Sequence, residues 1–306
     1  MEINDYSYWI TLAHLPKWRV EKINHLIFDI VHKQRISLAE FFSSDIPTLQ
    51  REFRLSAKEA QDIRHAKEEL PNNSILAEEL LTQGFELIPL DSAKYPTTLR
   101  DNLKMKYSPP LLYVKGNTQL FFEDIVAIVG SRNVSDKGVE FTKRVVKKWT
   151  LEHKVIVSGY AKGVDRIALE TTIENNGKSI IVLPQGILTF TKGFKNLYSH
   201  IYDGQVLAVS TFSPKAGWSA GLAMRRNAYI YGLAREIYVA ESDNKGGTWN
   251  GVIDGLRKGR KIFIRQAAPE EKCANNELIA RGAIAVDEFG NVVNNKSAQG
   301  LLFEVQ

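Results

Sequence analysis

The sequence predicts an α/β protein in which a small helical domain precedes a doubly wound, mostly parallel sheet. Two observations support this fold class. Residues 1–85 carry apolar side chains three and four positions apart, which is the spacing of one helix face. From residue 125 onward, apolar β-branched runs alternate with helical segments, which is typical of parallel strands covered by helices on both faces.

The chain has 306 residues, a length that suggests about two domains. We predict a helical, SAM-like N-terminal domain over residues 1–85 and a connector with an edge strand over residues 86–124. The sheet domain is expected over residues 125–290, and a C-terminal tail over residues 291–306.

The N-terminal domain contains clear helix boundaries. Ser56 with Glu59 three residues later predicts a capping box at the start of one helix. The next helix is expected to begin at Asn73 or Ser74 and to end at Gly84, because glycine favours helix C-termini.

The connector is expected to lack helix, because it contains Pro96, Pro109 and Pro110. Its segment LLYVKG is strand-like. The strands predicted after it are IVAIVGS, KVIVSG, SIIVLPQG, QVLAVSTF, EIYVAES and KIFIRQ. Right-handed crossovers between such strands give a Rossmann-like domain.

Composition narrows the function classes. The formal net charge of +5 permits a polyanionic partner without requiring one. The single cysteine, Cys273, excludes an intrachain disulfide and a cysteine-based zinc site. No run approaches the ~18 apolar residues of a membrane helix, and the N-terminus is too polar for a signal peptide. The six histidines are scattered, so we expect a cytoplasmic, non-enzymatic protein without a metal or cofactor.

The strand ends carry the chemistry. In an open parallel sheet, ligands bind beyond the carboxyl ends of the strands. Glycines there let the backbone approach a ligand, the following helices present free N–H groups, and hydroxyls and cations suit phosphate oxygens. No Walker or dinucleotide pattern is present. The predicted phosphate-binding residues are Gly130, Ser131, Arg132, Ser158, Gly159, Lys162, Gly163, Asp165, Gln185, Gly186, Lys245, Gly246, Gly247 and Thr248.

Arg225 and Arg226 form a second basic element, expected near the start of a helix, where cations oppose the helix dipole and need another purpose. The nearby Trp218, Tyr229 and Tyr231 either stack nucleobases or pack in the core. Both alternatives remain open from the sequence.

Asp165 and Glu241 are a possible carboxylate pair near the same cleft. We expect them to accept hydrogen bonds from backbone N–H groups or to pair with Arg225.

These motifs resemble the DNA-processing protein A family, also called DprA or Smf. The matching segments are YPTTLRD, PPLLYVKGN, VAIVGSR, VSGYAKGVDRIAL, VLPQGI, RRNAYIYGLA and NNELIARGA, in that order between residues 90 and 286. The resemblance implies single-stranded DNA binding, a homodimer, and transfer of the strand to a RecA-type recombinase in natural transformation. It implies that Arg132 contacts phosphate, and that the strand ends shape a pocket lined by Arg225, Arg226 and Asn227.

The chain departs from the family pattern at several motifs. It has Ala168-Leu169 where Ala-His is usual, and Gly246-Gly247-Thr248 where Ser-Gly-Ser is usual. It ends at Gln306, without the winged-helix domain of many members. We therefore expect a divergent member.

Two other functions remain open from the sequence. The same pocket could sense a nucleotide or DNA end and control a partner protein, as an antitoxin or defence-system subunit does. GGT also resembles the wider superfamily that includes phosphoribohydrolases of the Lonely Guy type. Trp249, Asn250 and Gly251 follow it without the catalytic glutamate, so the hydrolase lacks its general acid/base.

Overall fold

The computed structural model describes residues 3–293. Its α-helices are α1 (Ile3–Ala13), α2 (Val20–Phe28), α3 (Leu38–Ser43), α4 (Ile46–Glu52), α5 (Ala57–Glu68), α6 (Leu70–Thr82), α7 (Thr97–Tyr107), α8 (Asp136–Leu151), α9 (Val164–Glu174), α10 (Thr191–Asn196), α11 (Tyr198–Tyr202), α12 (Ala220–Leu233), α13 (Gly247–Arg257) and α14 (Asn275–Ala280). A π-helix covers Asp29–Gln34, and 3-10 helices cover Thr118–Phe122 and Ile187–Thr189.

The strands are β1 (Glu86–Pro89), β2 (Leu111–Lys115), β3 (Ile125–Val129), β4 (Val155–Ser158), β5 (Ser179–Val182), β6 (Val206–Ser210), β7 (Glu236–Val239), β8 (Lys261–Arg265) and β9 (Ile284–Val286). The six strands predicted from residue 125 onward are all confirmed, and so is the strand LLYVKG, which is β2. The short strands β1 and β9 were not predicted. The mostly parallel α/β fold class is confirmed.

The described chain divides into two compact units. The first unit contains residues 3–123 and 178–233, and the second contains residues 124–177 and 234–293. The domain boundaries proposed from the sequence remain a prediction. The predicted tail begins at residue 291, and its residues 294–306 lie outside the described residues.

The first unit contains the strand order β1-β2-β6-β5. Strand β2 pairs antiparallel with both β1 and β6, whereas β5 and β6 are parallel. Strand β2 is therefore an inner strand, and the edge position belongs to β1.

The connector contains helix α7, although its prolines led us to expect none. Pro96 occupies the position just before α7, and Pro109 follows its C-terminal residue by two positions. Proline is tolerated at both helix boundaries, because neither position needs a helical N–H donor. The prolines therefore flank the helix instead of breaking it.

The N-terminal helices confirm the predicted capping box. Ser56 accepts a hydrogen bond from the Glu59 backbone N–H, and the Glu59 carboxylate accepts one from the Ser56 N–H. Helix α6 begins at Leu70, earlier than predicted, because proline at the second position, Pro71, suits a first helical turn. The predicted end is correct, since Gly84 follows with a φ of 75°.

The second unit contains a fully parallel set of strands in the order β4-β3-β7-β8-β9. The chain passes from β3 to β4 on one side and later returns to place β7 on the other side of β3. The direction of winding therefore reverses between β3 and β7, which makes this position the topological switch point of the unit.

Helices α8 and α9 pack on these strands through a continuous apolar core. Phe141, Val145 and Val146 of α8 are buried against strand residues such as Ile128 and Ile156. Burial of each such side chain stabilises the fold by about 1.5–3 kcal/mol relative to exposure. The carboxyl ends of β3, β4 and β7 are held in place by this core.

Across residues 3–293, no helix combines the length and the hydropathy that a membrane crossing requires.

Candidate nucleic-acid interface

The end of β3 is joined to the end of β7 through the backbone. The Ser131 N–H donates to the Glu241 carbonyl oxygen at 2.8 Å. A Cβ at Gly130 would lie 2.6 Å from a methyl group of Val164 and 3.0 Å from the same Glu241 oxygen. Gly130 is therefore required by close packing between these elements.

The end of β4 meets the end of β3 equally closely. Gly163 has a φ of 84°, and a Cβ there would collide with the Ser131 carbonyl oxygen and lie 2.7 Å from that of Arg132. The Val164 N–H donates to the Ser131 oxygen at 3.2 Å. Only glycine fits this position, because L side chains rarely adopt a positive φ. The contact makes the segments that carry Arg132 and Lys162 neighbours.

Three cations extend from these segments into solvent. Arg132, Lys162 and Lys245 are exposed, and within residues 3–293 no hydrogen bond or ion pair engages their charged groups. By contrast, Lys137 on α8 pairs with Glu270 and Glu271. The three unneutralised cations suit an anionic ligand. We call Arg132, Lys162 and Lys245 the tip cations.

The hydroxyls predicted to reach phosphate have different surroundings. The Ser158 hydroxyl is buried and donates to the Ile128 carbonyl oxygen at 2.7 Å, so its hydrogen is used inside the sheet. The Ser131 hydroxyl oxygen is buried and accepts from the Asn133 N–H at 3.1 Å. Thr248 is half-buried in the first turn of α13.

The remaining predicted residues of the second unit lie on the same segments. Gly159 is buried directly after β4, and Asp165 is buried in the first turn of α9. Gly247 begins α13, and the exposed Gly246 before it has a φ of 95° with open space around its Cβ position. The loop just before α13 is therefore less tightly packed than the ends of β3 and β4.

The buried carboxylate of Glu241 binds the start of α8. It accepts hydrogen bonds from the Ser135 N–H, at 3.2 Å to each oxygen, and from the Ser135 hydroxyl. Nη2 of Arg265 lies 3.7 Å from Oε2 of Glu241. The expected backbone N–H contact is thus confirmed for Glu241. No motif in the sequence predicts Arg265 as its ionic neighbour.

Arg265 is itself buried and forms a two-pronged ion pair with Glu271, with distances of 3.1 and 2.8 Å. Its Nε donates to the Ala240 carbonyl oxygen at 3.0 Å. The hydrogen bonds from Arg265 lower the pKa of Glu271 to about 2. These charges hold the start of the loop that follows β7.

Five predicted residues belong to the first unit. Gly186 is enclosed, because its N–H donates to the Ala216 carbonyl oxygen at 2.8 Å and a Cβ would collide with the Ser213 and Pro214 carbonyl oxygens. The Gln185 amide donates to the Thr189 hydroxyl at 3.0 Å.

The other three are Arg225, Arg226 and Asn227, which lie in the middle of α12. The expectation that the arginines lie near a helix start is wrong, because α12 begins at Ala220, where the Ser219 hydroxyl accepts the Leu222 N–H. Arg226 is buried and donates to the Val182 carbonyl oxygen at 3.1 Å. Arg225 is exposed, with its guanidinium 5.6 Å from the centre of the Phe212 ring.

His14 is a notable neighbour of Arg225 that sequence reasoning missed. Its Nε2 lies 2.8 Å from the Tyr113 hydroxyl. Burial, with a smaller contribution from the positive charge of Arg225, lowers the pKa of His14 to about 4. His14 also lines a cavity of about 870 Å³ among the N-terminal helices. Tyr229 and Tyr231 are core residues, whereas Trp218 is exposed.

The second unit is thus a Rossmann-like domain in which exposed cations follow the carboxyl ends of neighbouring parallel strands. In the described part of the chain, no cluster of His, Cys, Asp and Glu has the makings of a metal site. The chain belongs to the DNA recombination-mediator protein A family, whose model matches residues 86–297.

Curated relatives agree with this assignment. DNA processing protein DprA of Streptococcus pneumoniae is 35% identical over 158 residues, which are 51% of this chain and 55% of that protein. DprA of Bacillus subtilis is 28% identical over 209 residues, 67% of this chain and 69% of that protein. The match thus spans little more than half the length of the pneumococcal relative.

Solved structures share the fold. Pneumococcal DprA superposes with a TM-score of 0.65 at 25% identity, covering 92% of this chain and 94% of that one. DprA from Helicobacter pylori, described for its own single-stranded DNA binding mode, superposes with a TM-score of 0.55 at 23% identity. The latter covers 66% of this chain and 90% of that one, and it supports the fold alone.

Proposed function

We propose that this chain is a non-enzymatic mediator of DNA processing that binds single-stranded DNA through its phosphates. The main supporting observation is the group of tip cations, which are exposed and have no ionic partner among residues 3–293. Membership of the recombination-mediator family supports the same assignment. We infer that Gly130, Gly163 and Ser131 form the packed support beneath these cations.

The chemistry of this site favours the nucleic-acid backbone as the recognised feature. Arg132 and Lys162 present charge, and phosphate contacts carry no sequence information. Each cation that neutralises a phosphate releases a counterion, so binding weakens as salt rises. Binding is therefore expected to be indifferent to sequence and sensitive to ionic strength.

The decisive experiment is a fluorescence-anisotropy titration of labelled oligo-dT with wild type and Arg132→Ala. We expect Arg132→Ala to lose about tenfold or more in affinity, because a hydrogen bond to a charged group contributes about 1.5–3 kcal/mol. Arg64→Ala is the matched control, since Arg64 is an exposed arginine on α5 without an ion-pair partner in the described chain. Equal affinities for the two variants would remove Arg132 from the interface.

We further infer a homodimer that delivers the strand to a RecA-type recombinase, in the cytoplasm where such DNA is processed. Sedimentation equilibrium tests the dimer. Recombinase filament assembly on DNA coated by a single-strand-binding protein tests the delivery. A monomer, or no stimulation of assembly, would contradict these two inferences separately.

Two further results would support the alternative functions that the sequence leaves open. Weak DNA affinity together with a stable stoichiometric complex with a genetically adjacent protein would favour the regulatory subunit. Release of free base from a nucleoside monophosphate would establish the phosphoribohydrolase.

A further inference from the structure

The first turn of α8 lies at the switch point between β3 and β7, where a Rossmann-like domain usually holds a phosphate against a helix N-terminus. In this chain a carboxylate occupies that place. Glu241, directly beyond β7, accepts the Ser135 N–H and hydroxyl at the N-cap of α8.

The Glu241 carboxylate occupies the space beside the N-terminus of α8 and also supplies the negative charge that a helix N-terminus favours. Oε2 of Glu241 would lie only 2.9 Å from a Cβ at Gly138, in the first turn of α8. Glu241 is buried, and Nη2 of Arg265 lies 3.7 Å from it. Two donors at this helix N-terminus, the Ser135 N–H and hydroxyl, are therefore already engaged by an acceptor of the same charge sign as phosphate.

We propose that the Glu241 carboxylate closes the phosphate position at the switch point. The chain therefore binds polymeric anions in preference to free nucleotides. This inference rests on the proposed function for the polymer, but the closure itself does not depend on it. Glu241 acts as a specificity residue by exclusion.

The selectivity follows from two effects of charge. A single phosphate at the α8 N-terminus would need to displace Glu241 and would be repelled by it. The tip cations remain available outside, but a single phosphate would engage fewer of them than a strand does. A nucleic-acid strand engages several cations at once, and its affinity grows with the number of phosphates neutralised. Cellular nucleotides would therefore compete poorly with the strand.

The test opens the closed position with Glu241→Ala and offers inorganic phosphate or dTMP as the probe. This variant leaves the Ser135 donors and Arg265 converging on an empty space. We expect dTMP and phosphate to bind Glu241→Ala about tenfold or more tightly than wild type, because a neighbouring anion has been removed. Binding is followed by ³¹P NMR line broadening and by the melting temperature at constant ionic strength.

Two variants serve as controls. Glu241→Gln removes the charge but keeps the side-chain volume, so it should gain less than Glu241→Ala. Glu271→Gln breaks the ion pair with Arg265 without opening space at α8, so it should gain nothing. A gain in Glu271→Gln equal to that in Glu241→Ala would overturn the assignment of the site to Glu241.

If Glu241→Ala does not fold, the wild type still decides the question. We expect dTMP at millimolar concentration to leave the backbone amide resonances of Ser135 and Gly138 unshifted. Saturable shifts at these amides would show that the position is open and would overturn the proposal. Neither titration contains DNA. The proposal of a closed position can therefore fail while the DNA-binding proposal stands, and the DNA-binding proposal can fail while the closed position stands.

Discussion

The strand ends of the second unit and helix α12 of the first unit both carry arginines, but these arginines differ in exposure and in hydrogen bonding. Arg132 is exposed and, within residues 3–293, has no ionic partner. Arg226 is 3% exposed and donates to the Val182 carbonyl oxygen. Arg225, one position earlier, is exposed beside Phe212.

The difference teaches that the residue type alone does not give a cation its role. A buried guanidinium that satisfies a buried carbonyl stabilises the fold, and its removal leaves a polar group without a partner. An exposed cation without a partner contributes little to stability and is available to a ligand. Substitutions at the strand ends should therefore weaken DNA binding, whereas substitution of the buried arginine in α12 should weaken folding.

The largest effect is expected from Gly163→Ala, which attacks the support beneath the tip cations. A methyl group there collides with the Ser131 carbonyl oxygen at a φ of 84°. We expect the free energy of unfolding to fall by about 3 kcal/mol or more, from steric overlap and backbone strain together. Urea denaturation followed by circular dichroism measures it.

Gly246→Ala is the matched control for Gly163→Ala. Its φ of 95° carries similar backbone strain, but its Cβ would meet no atom within 4 Å. The expected loss is about 1–2 kcal/mol. Equal losses for the two glycines would mean that the contact between the ends of β3 and β4 is unimportant.

The next effect is a loss of DNA affinity that leaves the stability of the fold unchanged. Arg132→Ala combined with Lys162→Ala should weaken oligo-dT binding about 100-fold, if each cation contributes about tenfold. The slope of log affinity against log salt should flatten by about 1.4, because two phosphates are no longer neutralised. Stability should change by less than about 0.5 kcal/mol, since both residues are exposed. An unchanged salt slope would contradict the phosphate contacts.

Arg226→Ala should give the reverse pattern. We expect the free energy of unfolding to fall by about 2 kcal/mol, because the buried Val182 carbonyl loses a charged donor. Arg225→Ala, at the exposed neighbour, should stay within about 0.5 kcal/mol of wild type. Thermal and urea unfolding compare the pair. A stable Arg226→Ala variant with impaired DNA binding would place Arg226 in the interface after all.

The smallest effect is a pH dependence from His14. Its folded pKa of about 4 lies below the ordinary 6.5, so the unfolded chain binds the proton first as the pH falls. The stabilising contribution is present above pH 6.5 and is lost toward pH 4. Between pH 7 and pH 5 we expect a loss of about 1 kcal/mol, reduced because His14 as a residue is half-buried.

His14→Gln should flatten this pH dependence, since glutamine does not titrate. Arg225→Ala should raise the pKa of His14, because the charge of Arg225 contributes to lowering it. Histidine Cε1 proton shifts measure that pKa by NMR. An unmoved value would remove the electrostatic link between these two residues.

Much of the fold could be predicted from the sequence because apolar runs and capping residues act locally. Strand β3 follows from the apolar run at residues 125–129, and the start of α5 follows from the capping box of Ser56 and Glu59. Helix α7 was missed because proline has opposite meanings inside a helix and at its ends. Strand β9 was missed because three residues carry too little alternation.

The candidate site was predictable only in part. Glycine and serine after a strand indicated a functional edge, but the destination of each hydroxyl depends on residues distant in sequence. Ser158 donates to Ile128 on the neighbouring strand, and Ser135 meets Glu241 more than a hundred positions later. The sequence contains those partners without showing that they meet.

The backbone bonds from Ser131 to Glu241 and from Val164 to Ser131 have a consequence for the speed of exchange. They tie together the backbone beneath Arg132 and Lys162 before any strand arrives, so the rotamer freedom lost there on contact belongs to the long side chains, at about 0.5–1.5 kcal/mol each. These side chains can release one phosphate and bind the next while the backbone beneath them stays in place. Such a surface would let a bound strand slide past and leave quickly.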